Sequence, residues 1–140
     1  LGAIVTLFLF VPIVLGLSES TGVQAATIMV RNIVLGQTAF KNLWLFLARE
    51  AAVGVSIGIV CGIIVGMLAS AWHESAILGI ALASSMTVAI MFSALIGLLM
   101  PLLFKELKLD PTLATGPLVL AICDIQTLFV YFTLSIAIMR

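Results

Sequence analysis

Long apolar runs alternate with short polar segments along the whole chain. The runs cover residues 1–17, roughly 43–70, 75–104 and 112–139. The last three are longer than the about 20 apolar residues that a helix needs to cross a membrane. The first is shorter, but apolar residues return at 24–36, so residues 1–36 are predicted to form one helix with a break at 18–22. The pattern therefore predicts an all-α membrane protein, a polytopic helix bundle with four spans.

The predicted break is rich in hydroxyl side chains. Irregular backbone at membrane depth is tolerated only where protein or water satisfies its polar groups, and transporters use such breaks to bind ions. Ser20, Thr21 and Gln24 would then line an ion path with neutral oxygens and donors. The alternative is an ordinary hydroxyl-rich turn with Glu19 in water, and the spacing does not decide between the two.

The composition agrees with a membrane protein. Of 140 residues, 64% are hydrophobic and 9% are charged, and the mean hydropathy is +1.38, far from the average of soluble domains. Six basic residues balance six acidic ones, which gives no electrostatic case for a nucleic-acid partner. His73 is the only histidine and lies at a loop, so the catalytic sets of an intramembrane hydrolase are missing from the sequence. No enzymatic activity is predicted.

Basic residues indicate the orientation. The connection at 31–49 carries Arg31, Lys41 and Arg49, the connection at 104–110 carries Lys105 and Lys108, and residues 71–75 carry none. Loops rich in Lys and Arg stay in the cytoplasm. We therefore expect both basic loops to be cytoplasmic and both ends of this chain to lie outside, with one more span preceding it in the natural protein.

Small residues recur at a spacing of four in two of the runs. Such strips let helices approach closely in lipid. We predict that the second and third helices pack as an antiparallel pair through these strips; hinges for gating are the alternative role of the glycines. The strips are Gly54, Gly58, Gly62 and Gly66 on the second helix, and Ser85, Ala89, Ser93 and Gly97 on the third.

Asp124 is the only carboxylate well inside a long apolar run, since Glu50 directly follows the basic connection at 31–49. A charge at bilayer depth costs from about 2.5 to over 10 kcal/mol, so it normally faces a bundle interior or water and marks a transport pathway. The sequence therefore predicts a cation site at Asp124. The structural alternative is a pairing of Asp124 with a basic residue at a helix end or with Gln24.

The last helix is predicted to begin at Pro111, with Asp110 as its N-cap. Pro117 would then lie inside the helix and free the carbonyl of Leu113. At about 100° per residue, one face carries oxygen groups around Asp124. The residues on it are Gly116, Pro117, Leu120, Thr127 and Tyr131.

Oxygen ligands suit Mg²⁺, which is usually bound by one or two carboxylates and keeps several waters. One Asp124 in each chain is too little for a dehydrated octahedral cage. Either two chains each contribute Asp124 around a two-fold axis, or the ion stays hydrated; a symmetric dimer meets both conditions.

Several motifs together resemble the membrane domain of the MgtE family of magnesium channels and transporters, which is related to eukaryotic solute-carrier magnesium transporters. They are VPIVLG, TGVQAATIMVR, MPLLFKELKLDP and DPTLATGPLVLAICDIQTLFVYF. The similarity covers nearly all of residues 1–140, as one transmembrane ion-conducting domain without the family's first helix and cytosolic sensor domains. It implies a homodimer of five-helix protomers in a bacterial or archaeal plasma membrane.

The resemblance also implies residue roles. The ion path lies at the dimer axis between the family's second and fifth helices, here residues 1–36 and 111–139. The pore aspartate falls on Asp124, a carbonyl that contacts hydrated Mg²⁺ falls on Leu120, and an aspartate that binds regulatory Mg²⁺ falls on Asp110. Two departures stand out, because Ser18-Glu19-Ser20 replaces a common Gly-Gly-Asn run and Gly116 replaces a frequent Asn.

The function expected from the sequence is potential-driven entry of Mg²⁺ through a dimeric pore, with Mg²⁺ as the transported ion and ligand. An ion-coupled exporter, or a carrier for Co²⁺, Mn²⁺ or Zn²⁺, is the alternative. A coupled exporter would need further titratable groups at membrane depth. A purely structural subunit, in which Asp124 is replaceable, is a third possibility.

Overall fold

The computed structural model describes residues 2–36 and 42–140, with side chains from residue 4 onward. Lys41, used in the orientation argument, lies outside the described residues. Four long helices follow one another: α1 (Gly2–Val34), α2 (Leu43–His73), α3 (Ala76–Glu106) and α4 (Pro117–Ile138). All four are long and apolar enough to cross a membrane. The prediction of an all-α bundle with four spans is confirmed.

The predicted break in the first helix is wrong, since α1 continues through residues 18–22. The Thr21 hydroxyl of this segment is satisfied inside the helix, as is that of Thr27 further along, whereas Ser18 Oγ is buried without a hydrogen-bond partner among the described residues. Thr21 Oγ1 donates to the Leu17 carbonyl at 2.8 Å, and Thr27 Oγ1 donates to the Val23 carbonyl at 2.8 Å. Back-bonding of this kind lets Ser and Thr remain in a helix. Glu19 is therefore part of a membrane-spanning helix.

The start of the last helix is also corrected. Asp110 caps a short 3₁₀ turn (Pro111–Thr115), and its Oδ1 accepts from the Thr112 N–H at 2.9 Å. Gly116 is extended (φ −103°, ψ −156°), and α4 begins at Pro117. The residue before a proline is disfavoured in the α region, whereas proline itself suits the first helical position. The Leu113 carbonyl is therefore not freed, because it accepts from the Gly116 N–H at 3.4 Å.

Helices α2 and α3 pack closely through the glycine strip of α2, as predicted. A Cβ on Gly58 would lie 2.6 Å from Thr87 Cα, and one on Gly62 would lie 2.7 Å from the Ala83 carbonyl oxygen. The predicted partner strip is wrong, however. The glycines of α2 face a different row of α3, formed by Gly79, Ala83, Thr87 and Met91.

The strip expected to face α2 instead holds α3 against α1 and α4. Ser85 receives a hydrogen bond from Ser135 of α4 at 2.9 Å, and the Ser93 and Thr127 hydroxyls are 3.2 Å apart. Gly97 lies directly against Gly22 of α1. Helix α3 carries small residues on two faces and is the central element of the bundle. The four-residue spacing of small residues does not determine which face of α3 packs against which helix.

A buried tyrosine joins the N-terminal half of α1 to the C-terminal half of α4. Tyr131 is fully buried, and its hydroxyl donates to the Leu7 carbonyl at 2.9 Å. The Leu7 carbonyl lies inside a helix, where the ring hydroxyl is an additional partner. The hydrogen bond therefore links α4 to α1 and adds to the stability of the bundle, but the α1 helix itself does not depend on it.

Tyr131→Phe is expected to lower the free energy of unfolding by about 1 kcal/mol, the usual net value of one hydrogen bond. Denaturant titration in mixed micelles measures the change. Thr133→Val is the matched control, since it removes a hydroxyl from an exposed position of the same helix and should change stability by less than about 0.5 kcal/mol. Equal effects of the two substitutions would contradict the role of Tyr131.

Candidate ion-binding site

Asp124 lies in the second turn of α4 and is half-buried. Its Oδ1 is buried and has no hydrogen-bond partner among the described residues. A buried carboxylate oxygen without a donor is costly, since burial of a charge requires pairing or hydrogen bonds. The predicted structural pairing with Gln24 is not observed, because the Gln24 amide instead donates to Ser20 Oγ at 3.5 Å.

Glu19 is a charged neighbour of Asp124 that the sequence analysis missed. It stands at the middle of α1, and its side chain interacts with that of Asp124. Asp124 is therefore not the only acid at membrane depth. The break predicted at residues 18–22 hid this, since it assigned Glu19 to a polar turn. No local signal separates the two cases, because any threonine in a helix can bond back to the carbonyl four residues before it.

Close helix packing sets the position of the two acids. Gly22, one turn after Glu19, lies where α1 crosses both α3 and α4. A Cβ on Gly22 would lie 2.7 Å from Cys123 Sγ and 3.2 Å from the Ser93 carbonyl oxygen. Because Cys123 precedes Asp124 directly, the approach at Gly22 brings the backbones that carry the two carboxyl groups together.

The other residues predicted to line the pore occupy two kinds of position. Ser20, Gln24 and Pro117 are exposed, and Gly116 and Leu120 are half-buried. Thr21 and Thr127 are buried inside the protomer. Thr127 and Tyr131 do not share an open face with Asp124 as expected, because α4 packs against α3 and α1 along the row that contains Cys123, Thr127 and Tyr131. Asp124 and Leu120 stand at the edge of that row.

A cavity of about 350 Å³, lined by both polar and apolar side chains, lies between α1, α2 and α3. It begins at Thr21 and Gln24, within two turns of Glu19 on α1. Its wall includes Asn32, Arg49 and the largely buried Glu50. The cavity therefore places several polar groups beside one side of α1.

Asp110 is far more accessible than Asp124. It is exposed, and hydrogen bonds from the Thr112 side chain and backbone N–H hold the pKa of its carboxyl group below the usual value. Hydrogen bonds to the ionised form favour that form. Asp110 is thus a charged group open to water, in the turn that joins α3 to α4.

One protomer does not supply a complete metal site in the described part of the chain. No group of three or more His, Cys, Asp or Glu side chains that could hold a metal ion is found in residues 2–36 and 42–140. Glu19 and Asp124 form a pair of carboxyl groups. Further ligands would have to be backbone oxygens, water or groups of another chain.

Comparison with known proteins identifies the family. A family described as "Divalent cation transporter", MgtE, matches residues 11–134. The chain is 30% identical over 134 residues to the magnesium transporter MgtE of Bacillus subtilis, and 26% and 27% identical to the proteins of the same name from Enterococcus faecalis and Thermus thermophilus. Each match covers 96% of this chain and 30% of the relative, so the chain spans about 30% of their length.

The match confirms the resemblance found in the motifs, and the family is one of transporters and not of enzymes, as predicted. Four membrane-length helices make the chain an integral, multi-pass membrane protein. The chain belongs to the MgtE family of divalent cation transporters.

Proposed function

We propose that this chain is the ion-conducting domain of a Mg²⁺ channel or transporter, with a pore at a homodimer axis lined by α1 and α4. The observation that carries the proposal is Asp124, a carboxylate at membrane depth with a buried oxygen that lacks a hydrogen-bond partner among the described residues. Intramembrane acids of this kind mark ion pathways. The three relatives, each named magnesium transporter, support Mg²⁺ as the substrate.

A dimer resolves the shortage of ligands in one protomer. If the two-fold axis passes beside Asp124, it places the Asp124 side chains of both chains on opposite sides of the same ion. Mg²⁺ demands octahedral oxygen coordination and gives up its waters reluctantly. Asp124 from both chains, together with the Leu120 carbonyls, would hold the ion through retained waters.

The remaining predicted site residues fit supporting roles in this proposal. Ser20, Gln24, Gly116 and Pro117 line the path from exposed or half-buried positions, whereas Thr21 and Thr127 hold the helices that form it. Asp110, charged and open to water, is available to regulatory Mg²⁺ at the cytoplasmic end of the pore. These positions follow from cytoplasmic placement of the basic loops, with the C-terminus outside.

A coupled exporter is the second candidate, and one observation favours it. The sequence offered only Asp124 at membrane depth, but the structure adds Glu19 beside it. A second carboxyl group could carry a proton or sodium ion in exchange for the divalent cation. A carrier for Co²⁺, Mn²⁺ or Zn²⁺ uses the same oxygen groups.

Flux measurements distinguish these functions. The intact protein is reconstituted into liposomes that contain a Mg²⁺-sensitive dye, and a potassium diffusion potential is set with valinomycin. We expect Mg²⁺ uptake that rises with an inside-negative potential and needs no proton or sodium gradient. Uptake that requires such a gradient would favour the coupled carrier. Flux no higher than in protein-free liposomes would contradict both.

A further inference from the structure

We propose that Glu19 is a second ion-binding carboxylate of the pore, which acts together with Asp124 on the same divalent cation. This inference rests on the proposed function and adds a specificity-determining residue to it. Each protomer would then contribute two acids to the ion path, and a dimer would contribute four.

The geometry of α1 supports this role. Because α1 is continuous, Glu19 stands at the middle of a 33-residue helix and cannot be assigned to a solvated turn. Its side chain meets Asp124, the residue on which the proposed transport depends. The crossing at Gly22 fixes this approach, since its neighbours are the backbone of Ser93 and the side chain of Cys123.

The chemistry of the pair suits a bound cation. Two carboxylates in contact repel each other, and the repulsion grows as the surroundings become less polar. Asp124 is the charged group that interacts with Glu19 in the described part of the chain. Asp124 Oδ1 is also buried, and no described residue donates a hydrogen bond to it. A divalent cation between the two groups neutralises both and supplies the missing partner.

The expected consequence is tighter ion binding than one acid per chain would give. Loss of one hydrogen bond to a charged group lowers binding affinity by about 10- to 100-fold. Glu19→Gln keeps the size of the side chain and removes its charge. It should therefore raise the Mg²⁺ concentration for half-maximal uptake by about 10- to 100-fold.

The test uses the intact protein in liposomes and measures initial Mg²⁺ uptake against external concentration. Glu19→Asp should restore most of the affinity lost in Glu19→Gln, because it returns the carboxylate. Glu74→Gln is the matched control: Glu74 is exposed at the end of α2, and its substitution should leave half-saturation unchanged. Glu19→Ala, which keeps good helix propensity, gives a second variant without the acid if Glu19→Gln does not fold.

The outcomes separate this inference from the proposed function. If Asp124→Asn stops uptake while Glu19→Gln and Glu19→Ala keep the wild-type half-saturation, Glu19 is not an ion ligand and the pore assignment stands. A variant without the acid that binds Mg²⁺ more tightly than wild type would also overturn the inference. If neither Asp124→Asn nor Glu19→Gln changes uptake, the pore assignment itself fails.

Discussion

Asp124→Asn is expected to abolish Mg²⁺ uptake and to leave the bundle folded. The substitution keeps the shape of the side chain and removes its charge from the ion path. In a dimer, two charge-assisted contacts are lost at once, each of about 1.5–3 kcal/mol. The initial uptake rate in liposomes should therefore fall by at least roughly 100-fold.

Although Asp124→Asn should lose Mg²⁺ uptake, its stability should equal or exceed that of the wild type. The carboxyl group of Asp124 interacts with that of Glu19, and Asp124 Oδ1 lacks a donor among residues 2–36 and 42–140. Replacing the carboxylate by an amide removes like-charge repulsion and supplies N–H donors for Glu19. In the absence of divalent cations, Asp124→Asn should unfold at the same or a higher denaturant concentration than wild type.

A second acid serves as the control for this experiment. Glu106 is exposed at the end of α3, so Glu106→Gln removes one negative charge away from the proposed pore. Its uptake should stay close to wild type. Normal uptake by Asp124→Asn, measured beside this control, would remove the central residue from the proposed mechanism and favour a structural subunit.

The sequence was sufficient to predict the spans because length and apolar composition decide whether a helix can cross a bilayer. It was not sufficient to predict helix continuity at 18–22. The hydroxyls of that segment could satisfy a turn or bond back to the preceding carbonyl, and the two cases have the same composition. Thr21 shows the second case. Tertiary contact at Gly22, which no local pattern reveals, holds the helix against its neighbours.

The same limit applies to the candidate site. Asp124 could be proposed from its apolar surroundings alone, whereas Asp110 was proposed as an ion site only through the family resemblance. Glu19 could not, since its importance depends on which residue of another helix it meets. The pairing of the small-residue strips failed for a related reason. Two rows of α3 permit close packing: one contains Gly79, Ala83 and Thr87, and the other contains Ser85, Ala89 and Ser93. Which row faces α2 depends on how α1, α2 and α4 pack around α3 together.

The close approach that sets the acid pair can be tested at Gly97. A Cβ on Gly97 would collide with the carbonyl oxygen of Gly22, and would lie 2.7 Å from Gly22 C and 2.9 Å from its Cα. These are backbone atoms of a helix, so no side-chain rotation relieves the contact. Gly97→Ala must push α1 away from α3.

Gly97→Ala is therefore expected to destabilise the protein by about 1–3 kcal/mol, the usual cost of overpacking a well-packed core. Because Gly22 is one turn from Glu19, the displaced α1 should also separate Glu19 from Asp124 and weaken Mg²⁺ uptake.

Gly16→Ala is the matched control: it makes the same change on α1, where a Cβ meets nothing within 4 Å. There, better helix propensity should leave stability unchanged or raise it by up to about 1 kcal/mol. Denaturant titration and liposome uptake of both variants test the crossing, and equal stability of Gly97→Ala and Gly16→Ala would show that α1 and α3 are not in backbone contact at Gly22.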